Sequence, residues 1–90
     1  MPKYSVIHNV GKDLTSELGI PFAKIVKSVH TIDAYWIRSY YLREEGKLHC
    51  EWDAKDIDSI RQVIAKVAPD MANDEIYEME LMMNSEDYRE

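Results

Sequence analysis

The amino-acid sequence predicts an α+β domain whose elements follow one another in the order β-α-β-β-α-β. Four segments are rich in β-branched and aromatic residues, as strands usually are. Two other segments repeat apolar residues at helical spacing, and glycines, prolines or acidic turn residues separate the six segments. The chain has 90 residues, which suits one domain with a modest core.

The first half of the sequence predicts a strand followed by a helix. Residues 3–10 are rich in Tyr, Val and Ile, which is typical of a strand. Residues 12–19 are ambiguous, because Gly19 and Pro21 are expected to interrupt any helix there. We therefore expect the helix to begin at Pro21, which suits a first helical position. Its apolar stripe consists of Phe22, Ile25, Val26 and Val29.

A hairpin is predicted next, with strands at residues 34–42 and 47–53 and a turn at 43–46. Successive side chains of a strand point to opposite faces of the sheet. In the second strand of the hairpin, one set should lie under the helices, namely Leu48, Cys50 and Trp52. The opposite face of that strand should carry His49 and Glu51.

The second helix is predicted to start after Asp53, which can cap it, with Asp56 three residues later in a capping-box-like arrangement. Pro69 should end this helix. Its apolar residues repeat at helical spacing and are Ile57, Ile60, Ile64 and Val67.

Residues 75–83 predict the last strand, with Glu78 and Glu80 on the face away from the helices. Residues 84–90 are polar and are expected to form a tail. The domain should therefore span residues 1–83.

This order of elements is the split βαβ, or ferredoxin-like, arrangement. Right-handed crossovers place the first strand between the third and the fourth, antiparallel to both. Both helices then cover one face of a four-stranded antiparallel sheet. The other face stays open and must meet water or a partner, so we expect a homodimer.

Composition narrows the classes of partner. The net charge of −6 argues against nucleic acid and against an anionic membrane surface. The single cysteine excludes an internal disulfide, and the first residues lack a secretory signal pattern. We therefore expect a cytoplasmic protein.

The sequence carries no recognisable catalytic motif. It has no glycine-rich phosphate loop, no GxSxG, no HExxH and no CxxC. Cys50 and His49 are adjacent in a strand, so their side chains should diverge and cannot form a nucleophile and base. We expect Cys50 to be a small buried hydrophobic residue, and we expect no catalytic residues.

Three residues are candidates for a metal site. His8 lies late in the first strand, His49 early in the third and Glu78 early in the fourth. The end of an antiparallel strand lies beside the beginnings of its neighbours, so these side chains could converge on the open face. Two imidazoles and a carboxylate suit Ni, Zn or Cu. The alternative is that they are ordinary polar residues on a hydrated sheet face.

Aromatic residues cluster in the second strand. Strict alternation places Trp36 with Tyr40 on one face, and Tyr35 with Tyr41 on the other. One set should enter the core and the other should lie exposed, where it would contact a partner. The alternative is a small-molecule pocket lined by aromatic rings.

Several short motifs resemble a bacterial family of small ferredoxin-like domains that includes a nickel-binding branch. They are MPKY at the start, W-x-x-S-Y from Trp36, G-K-L-H-C from Gly46, the helix after Ala54, and D-E-I-Y-E from Asp74. The resemblance covers the chain from Met1 to about Leu81. It implies a ferredoxin-like fold, a dimer and, for the nickel-binding branch, a metal.

The chain also departs from the nickel-binding members. Those proteins carry a histidine pair late in the first strand and more histidines in the second helix. Here only His8 matches, Asn9 follows it, and residues 61–67 contain no histidine. The resemblance therefore implies nickel only through His8, and His49 is added from geometry.

Two functions from different classes follow. The first is a dimeric, non-enzymatic binding domain that holds nickel, zinc or another divalent transition metal. The alternative is a dimeric α+β barrel enzyme, similar to ferredoxin-like monooxygenases or isomerases, that encloses a small organic ligand.

Overall fold

The computed structural model describes residues 1–89 and confirms the predicted order of elements. In chain order these are β1 (Lys3–Asn9), α1 (Ser16–Val29), β2 (Ala34–Leu42), β3 (Lys47–Ala54), α2 (Ile57–Val67) and β4 (Glu75–Met79). Short 3₁₀ helices lie at Pro69–Met71 and Ser85–Tyr88. The second of these falls in the predicted polar tail, whose last residue, Glu90, lies outside the described residues.

The four strands form one antiparallel sheet in the order β2-β3-β1-β4, so β1 lies between β3 and β4 as predicted. This is the ferredoxin-like α+β fold. Alternate side chains of β1 and β3 are buried, because they meet the apolar face of α2. The buried apolar core consists of Tyr4, Val6, Ala34, Cys50, Trp52, Ala54, Ile60, Val63 and Ile64.

Helix α1 begins five residues earlier than the sequence predicts. Thr15 caps it, since the Thr15 side chain accepts from the amide of Leu18 and the Thr15 carbonyl accepts from the amide of Gly19. Pro21 lies inside the helix rather than at its start. Pro21 has no amide hydrogen, so the carbonyl of Glu17, four residues earlier, loses its helical hydrogen bond. Glu17 is exposed, so water can replace that bond.

The cap of α2 is Asp56 and not Asp53. The Asp56 carboxylate accepts from the hydroxyl and the amide of Ser59 at 2.7 and 2.8 Å, and these two bonds lower the pKa of Asp56. Asp53 is still part of β3, where its carboxylate pairs with the Lys3 ammonium at 2.7 Å. The strand therefore continues one residue further than predicted, to Ala54, and the helix starts after the next turn.

A β-bulge changes the alternation of side chains in β2. The register shifts between Trp36 and Arg38, so that Ile37 is the extra residue. As a result Trp36 and Tyr41 both pair with helix-facing residues of β3, and Tyr40 pairs with His49 on the open face. The predicted grouping of Trp36 with Tyr40 is therefore wrong, because it assumed strict alternation.

Strand β4 is shorter than predicted and ends at Met79 rather than at residue 83. Met79 pairs with Lys3, the first residue of β1. Residues after Met79 therefore have no strand beside them to supply ladder hydrogen bonds.

Candidate functional site

The three residues predicted to bind a metal do not come together. His8 pairs with Leu48, whereas His49 pairs with Ile7, so the two imidazoles lie on opposite faces of the sheet. His8 is buried on the helix side, with only 6% of its surface exposed. His49 lies on the open face, where its ring stacks on Tyr40.

Glu78 is separated from both histidines. It pairs with Tyr4, whose side chain is in the core, so Glu78 belongs to the helix-facing side of β4 and not to the open face. Tyr4 is four residues from His8 along β1, which is roughly 13 Å. Burial, followed by the nearby Glu78 carboxylate, raises the pKa of Tyr4.

The expected convergence of His8, His49 and Glu78 is therefore wrong. The prediction assigned the side chains of β1 and β4 to the wrong faces of the sheet. His8 and Glu78 lie on the helix side, whereas His49 lies on the open face. Within residues 1–89, no group of three histidine, cysteine or acidic side chains is placed to hold a metal ion.

A cavity of about 680 Å³ lies between the sheet and the helices. Its sheet side is formed by Trp36, Tyr41, Leu48, Cys50 and Trp52. Helix α1 contributes Leu18, Phe22, Ala23 and Val26, and the α2 side contributes Val63, Ile64, Val67 and Met71. His8 also lines this space, and most of its remaining surface is apolar.

The cavity exists because α1 packs loosely. Three residues of α2 are buried, whereas no residue of α1 is. Val26 and Val29, near the end of α1, pack against the core. Towards its start the helix stands away from the sheet, and Phe22 and Leu18 are 42% and 63% exposed although they line the cavity. Large apolar side chains left in this state indicate a surface that a ligand or partner can cover.

Polar contacts hold the segment before α1 in place. The Tyr41 hydroxyl donates to the carbonyl of Gly11 and accepts from the amide of Leu14. The Arg43 guanidinium donates to the carbonyls of Lys12 and Leu14 at 2.6 and 2.9 Å. The start of α1 is thus anchored to β2 by hydrogen bonds, and the space beneath the helix is left unfilled.

His8 is the principal polar group of the cavity wall. Its Nδ1 lies 2.7 Å from a carboxylate oxygen of Asp74. An ionised carboxylate only accepts hydrogen bonds, so Nδ1 carries the hydrogen and donates it. Arg61 fixes the segment that carries Asp74, because its guanidinium donates to the carbonyls of Ala72 and Asp74 at 2.6 and 3.3 Å. The other ring nitrogen, Nε2, has no hydrogen-bond partner among the described residues.

A second set of polar groups is already paired. The Trp36 indole donates to the Ser39 hydroxyl at 2.9 Å, and that hydroxyl donates to the Cys50 sulfur at 3.0 Å. Burial raises the pKa of the Cys50 thiol to about 11, so it is protonated at neutral pH. The prediction that Cys50 lies under the helices with Leu48 and Trp52 is confirmed.

The open face of the sheet carries a different set of side chains. Tyr40 donates to the Glu51 carboxylate, and Arg38 lies 3.5 Å from another oxygen of that carboxylate. Tyr77 of β4, which pairs with Ser5 of β1, is exposed on the same face. The prediction that His49 and Glu51 share this face is confirmed by the register of β2 and β3.

Sequence reasoning missed Asp74 and the position of His8. Asp74 directly precedes β4, and its pairing with His8 cannot be recognised from the local sequence. The signal for His8 was present: Tyr4, Val6 and His8 alternate with the more polar Lys3 and Ser5. The apolar set should face the helices, which places His8 in the interior.

Comparison with known proteins gives one informative result. No known family matches the chain, and no curated protein matches it either. A solved structure, SCO4226 from Streptomyces coelicolor A3(2), superposes with a TM-score of 0.72 over 90% of this chain and 99% of that one. The two sequences are 14% identical, so this similarity supports the fold alone. None of the helices described in residues 1–89 is long and apolar enough to cross a bilayer.

Proposed function

We propose that this chain is a non-enzymatic binding domain that holds a small organic molecule in the cavity between the helices and the sheet. The observation that carries the proposal is the cavity itself, with a volume of about 680 Å³ and a largely apolar lining. Binding sites for small molecules usually measure about 300 to 1,000 Å³ and combine apolar walls with a few polar groups.

Binding is favoured over catalysis because the reactive groups are not arranged as a catalytic pair. His8 is hydrogen-bonded to Asp74, whereas the Cys50 sulfur is hydrogen-bonded to Ser39. A cysteine nucleophile needs a base within reach or a lowered pKa, and the pKa of Cys50 is raised instead. The alternative of a monooxygenase- or isomerase-like enzyme therefore has less support than a binding domain.

Binding of nickel or zinc has less support than binding of an organic molecule. His8 is available only through Nε2, because Nδ1 is engaged by Asp74. One imidazole nitrogen is a weak site for a divalent transition metal, which usually takes three or four protein ligands. If the sequence-based expectation holds nevertheless, added Ni²⁺ should raise the melting temperature, and His8→Ala should remove that increase.

We further propose that the domain is a cytoplasmic homodimer that uses the open face of the sheet. That face carries Tyr40, Tyr77 and Leu42, each of which is exposed in the single chain. A second copy would cover these side chains and the His49 ring. The cavity lies on the other side of the sheet, so pairing would leave it accessible.

Fluorescence of a neutral apolar dye tests the binding function directly. The chain has two tryptophans, Trp36 and Trp52, and both line the cavity. N-phenyl-1-naphthylamine should become fluorescent on binding and should accept energy from the tryptophans. Saturable binding with this energy transfer is the expected result. Absence of saturable binding to a protein that is folded by circular dichroism would contradict the proposal.

A matched pair of variants locates the dye. Ala23 lines the cavity from α1, whereas Ala65 is exposed on α2. Ala23→Phe should fill part of the space and weaken dye binding several-fold, and Ala65→Phe should leave it unchanged. Equal effects of the two changes would show that the dye binds elsewhere.

A further inference from the structure

Resting on the proposed function, we infer the class of molecule that fits the cavity: a neutral aromatic alcohol, that is a phenol, whose hydroxyl donates to Nε2 of His8. The inference combines three properties of the cavity, namely its aromatic walls, its single oriented imidazole and the negative charge of Asp74 beside that imidazole.

Aromatic walls favour a flat ring system. Trp36, Trp52 and Tyr41 lie on the sheet side, and Phe22 faces them from α1. Aromatic rings bury large areas and prefer offset-stacked or edge-to-face contacts with other rings. The available volume of about 680 Å³ is large enough for a molecule of two or three fused rings.

The His8–Asp74 pair favours a hydroxyl on that ring system. Nδ1 donates to Asp74, so Nε2 is the ring nitrogen left to accept a hydrogen bond from a ligand. This nitrogen has no partner among the described residues, and His8 lines the cavity. A hydroxyl that donates to this nitrogen would form a hydrogen bond inside a largely apolar cavity. Asp74 acts as a positioning residue, since it fixes the ring without contacting the ligand.

The charges around the cavity favour a neutral ligand over a carboxylate. Arg43 is the one charged side chain in its described lining, and its guanidinium already donates to two backbone carbonyls. Asp74 places a negative charge behind His8, and the whole chain has a net charge of −6. An anionic ligand at His8 would therefore meet repulsion from the Asp74 carboxylate and from the net negative charge of the chain.

The test compares three probes that share one ring system, namely 2-naphthol, naphthalene and 2-naphthoate, by equilibrium dialysis against the full chain. 2-Naphthol should bind about tenfold more tightly than naphthalene, because one buried hydrogen bond to an otherwise unpaired group is worth roughly that factor. Naphthoate should bind most weakly of the three.

Variants at the two residues separate the hydroxyl contact from general affinity. His8→Leu replaces the imidazole with an apolar side chain of similar size. The variant should therefore still bind naphthalene but lose the preference for 2-naphthol. Asp74→Asn should reduce the preference without abolishing it, since the ring loses its fixed orientation but keeps its nitrogen. Melting curves of both variants establish that they are folded.

The outcomes distinguish the two proposals. Equal affinity of the wild-type chain for 2-naphthol and naphthalene, or a preference that survives in His8→Leu, would overturn the phenol inference and leave the binding function intact. Tighter binding of naphthoate would also overturn it. Failure of all three probes to bind would overturn both the inference and the proposed function.

Discussion

The thiol of Cys50 and the imidazole of His8 are both buried on the helix side of the sheet, yet their environments differ. The thiol lies among apolar groups and receives one hydrogen bond from Ser39, so burial dominates and its pKa rises to about 11. The imidazole is held by a carboxylate and keeps one free nitrogen. The thiol is protonated at neutral pH, whereas the imidazole is the group that we propose binds a ligand.

Thiol labelling tests the environment of Cys50. Since the thiolate is the reactive form, the native chain should react slowly at pH 8, and denaturant should accelerate the reaction strongly. A thiol reagent followed by absorbance measures the rate. Rapid labelling of the native chain would contradict the raised pKa of the Cys50 thiol.

Alkaline unfolding tests the same group through stability. The pKa of Cys50 is raised from 9.0 to about 11, so the folded state favours the protonated thiol. Its stabilising contribution is complete below pH 9 and is lost as the pH rises through 11. The free energy of unfolding should fall by up to about 3 kcal/mol from this group.

Cys50→Ala supplies the control for that experiment. Burial also raises the pKa values of Tyr4 and Tyr40, so some alkaline destabilisation should remain in the variant. The difference in the free energy of unfolding between the wild-type chain and Cys50→Ala, followed against pH, gives the contribution of the thiol. Identical pH dependence with and without Cys50 would contradict its raised pKa.

At the scale of elements, the two glycines Gly46 and Gly19 have opposite conformational requirements. Gly46 lies in the β2–β3 turn with φ of +65°, and an added Cβ would lie 3.1 Å from the backbone of Gly11. Its carbonyl also accepts from the amides of Val10 and Gly11, which joins the turn to the segment before α1. Gly19 lies inside α1, and a Cβ there would meet nothing within 4 Å.

Alanine substitutions at these glycines should therefore change stability in opposite directions. Gly46→Ala should destabilise the chain by about 1 to 2 kcal/mol, because a left-handed conformation is unfavourable for a residue with a side chain. Gly19→Ala should stabilise it by about 0.5 to 1 kcal/mol through helix propensity. Urea denaturation measures both, and destabilisation by Gly19→Ala would show that α1 is not helical at this position.

Most elements could be predicted from the sequence, because apolar periodicity is a local property. The predicted start of α1 was wrong, because the helix begins at the Thr15 cap and continues through Pro21. Residue propensities alone do not reveal that this cap is used. The bulge at Ile37 depends on how β2 pairs with β3, so strict alternation wrongly grouped Tyr40 with Trp36 and Tyr41 with Tyr35. The candidate site required the same information, because the His8–Asp74 pair joins residues 66 positions apart.

The whole molecule has two unlike sides. The helix side contains the cavity, and the open side presents a sheet face with polar, charged and aromatic residues. We expect these sides to have separate roles, with ligand binding on one and self-association on the other. A dimer formed through the open face would then carry two cavities on its outer surfaces.

Sedimentation tests the proposed dimer. The wild-type chain should sediment at about twice its mass of 10.6 kDa at micromolar concentration. Tyr40→Glu should weaken association, because it places a charge in the middle of the open face near Glu51. Ile32→Glu, at an exposed position between α1 and β2, is the matched control. A monomeric wild-type chain, or equal effects of both changes, would contradict an interface on this face.

Localising a bound ligand tests directly whether the cavity is the functional site. In nitrogen–proton correlation spectra recorded during titration with 2-naphthol, the indole signals of Trp36 and Trp52 should shift, together with amides of cavity-lining residues such as Ala23. Signals from the open face, including those of Tyr77 and Glu51, should stay in place. Shifts confined to the open face, or spectra that do not change at all, would contradict ligand binding in the cavity.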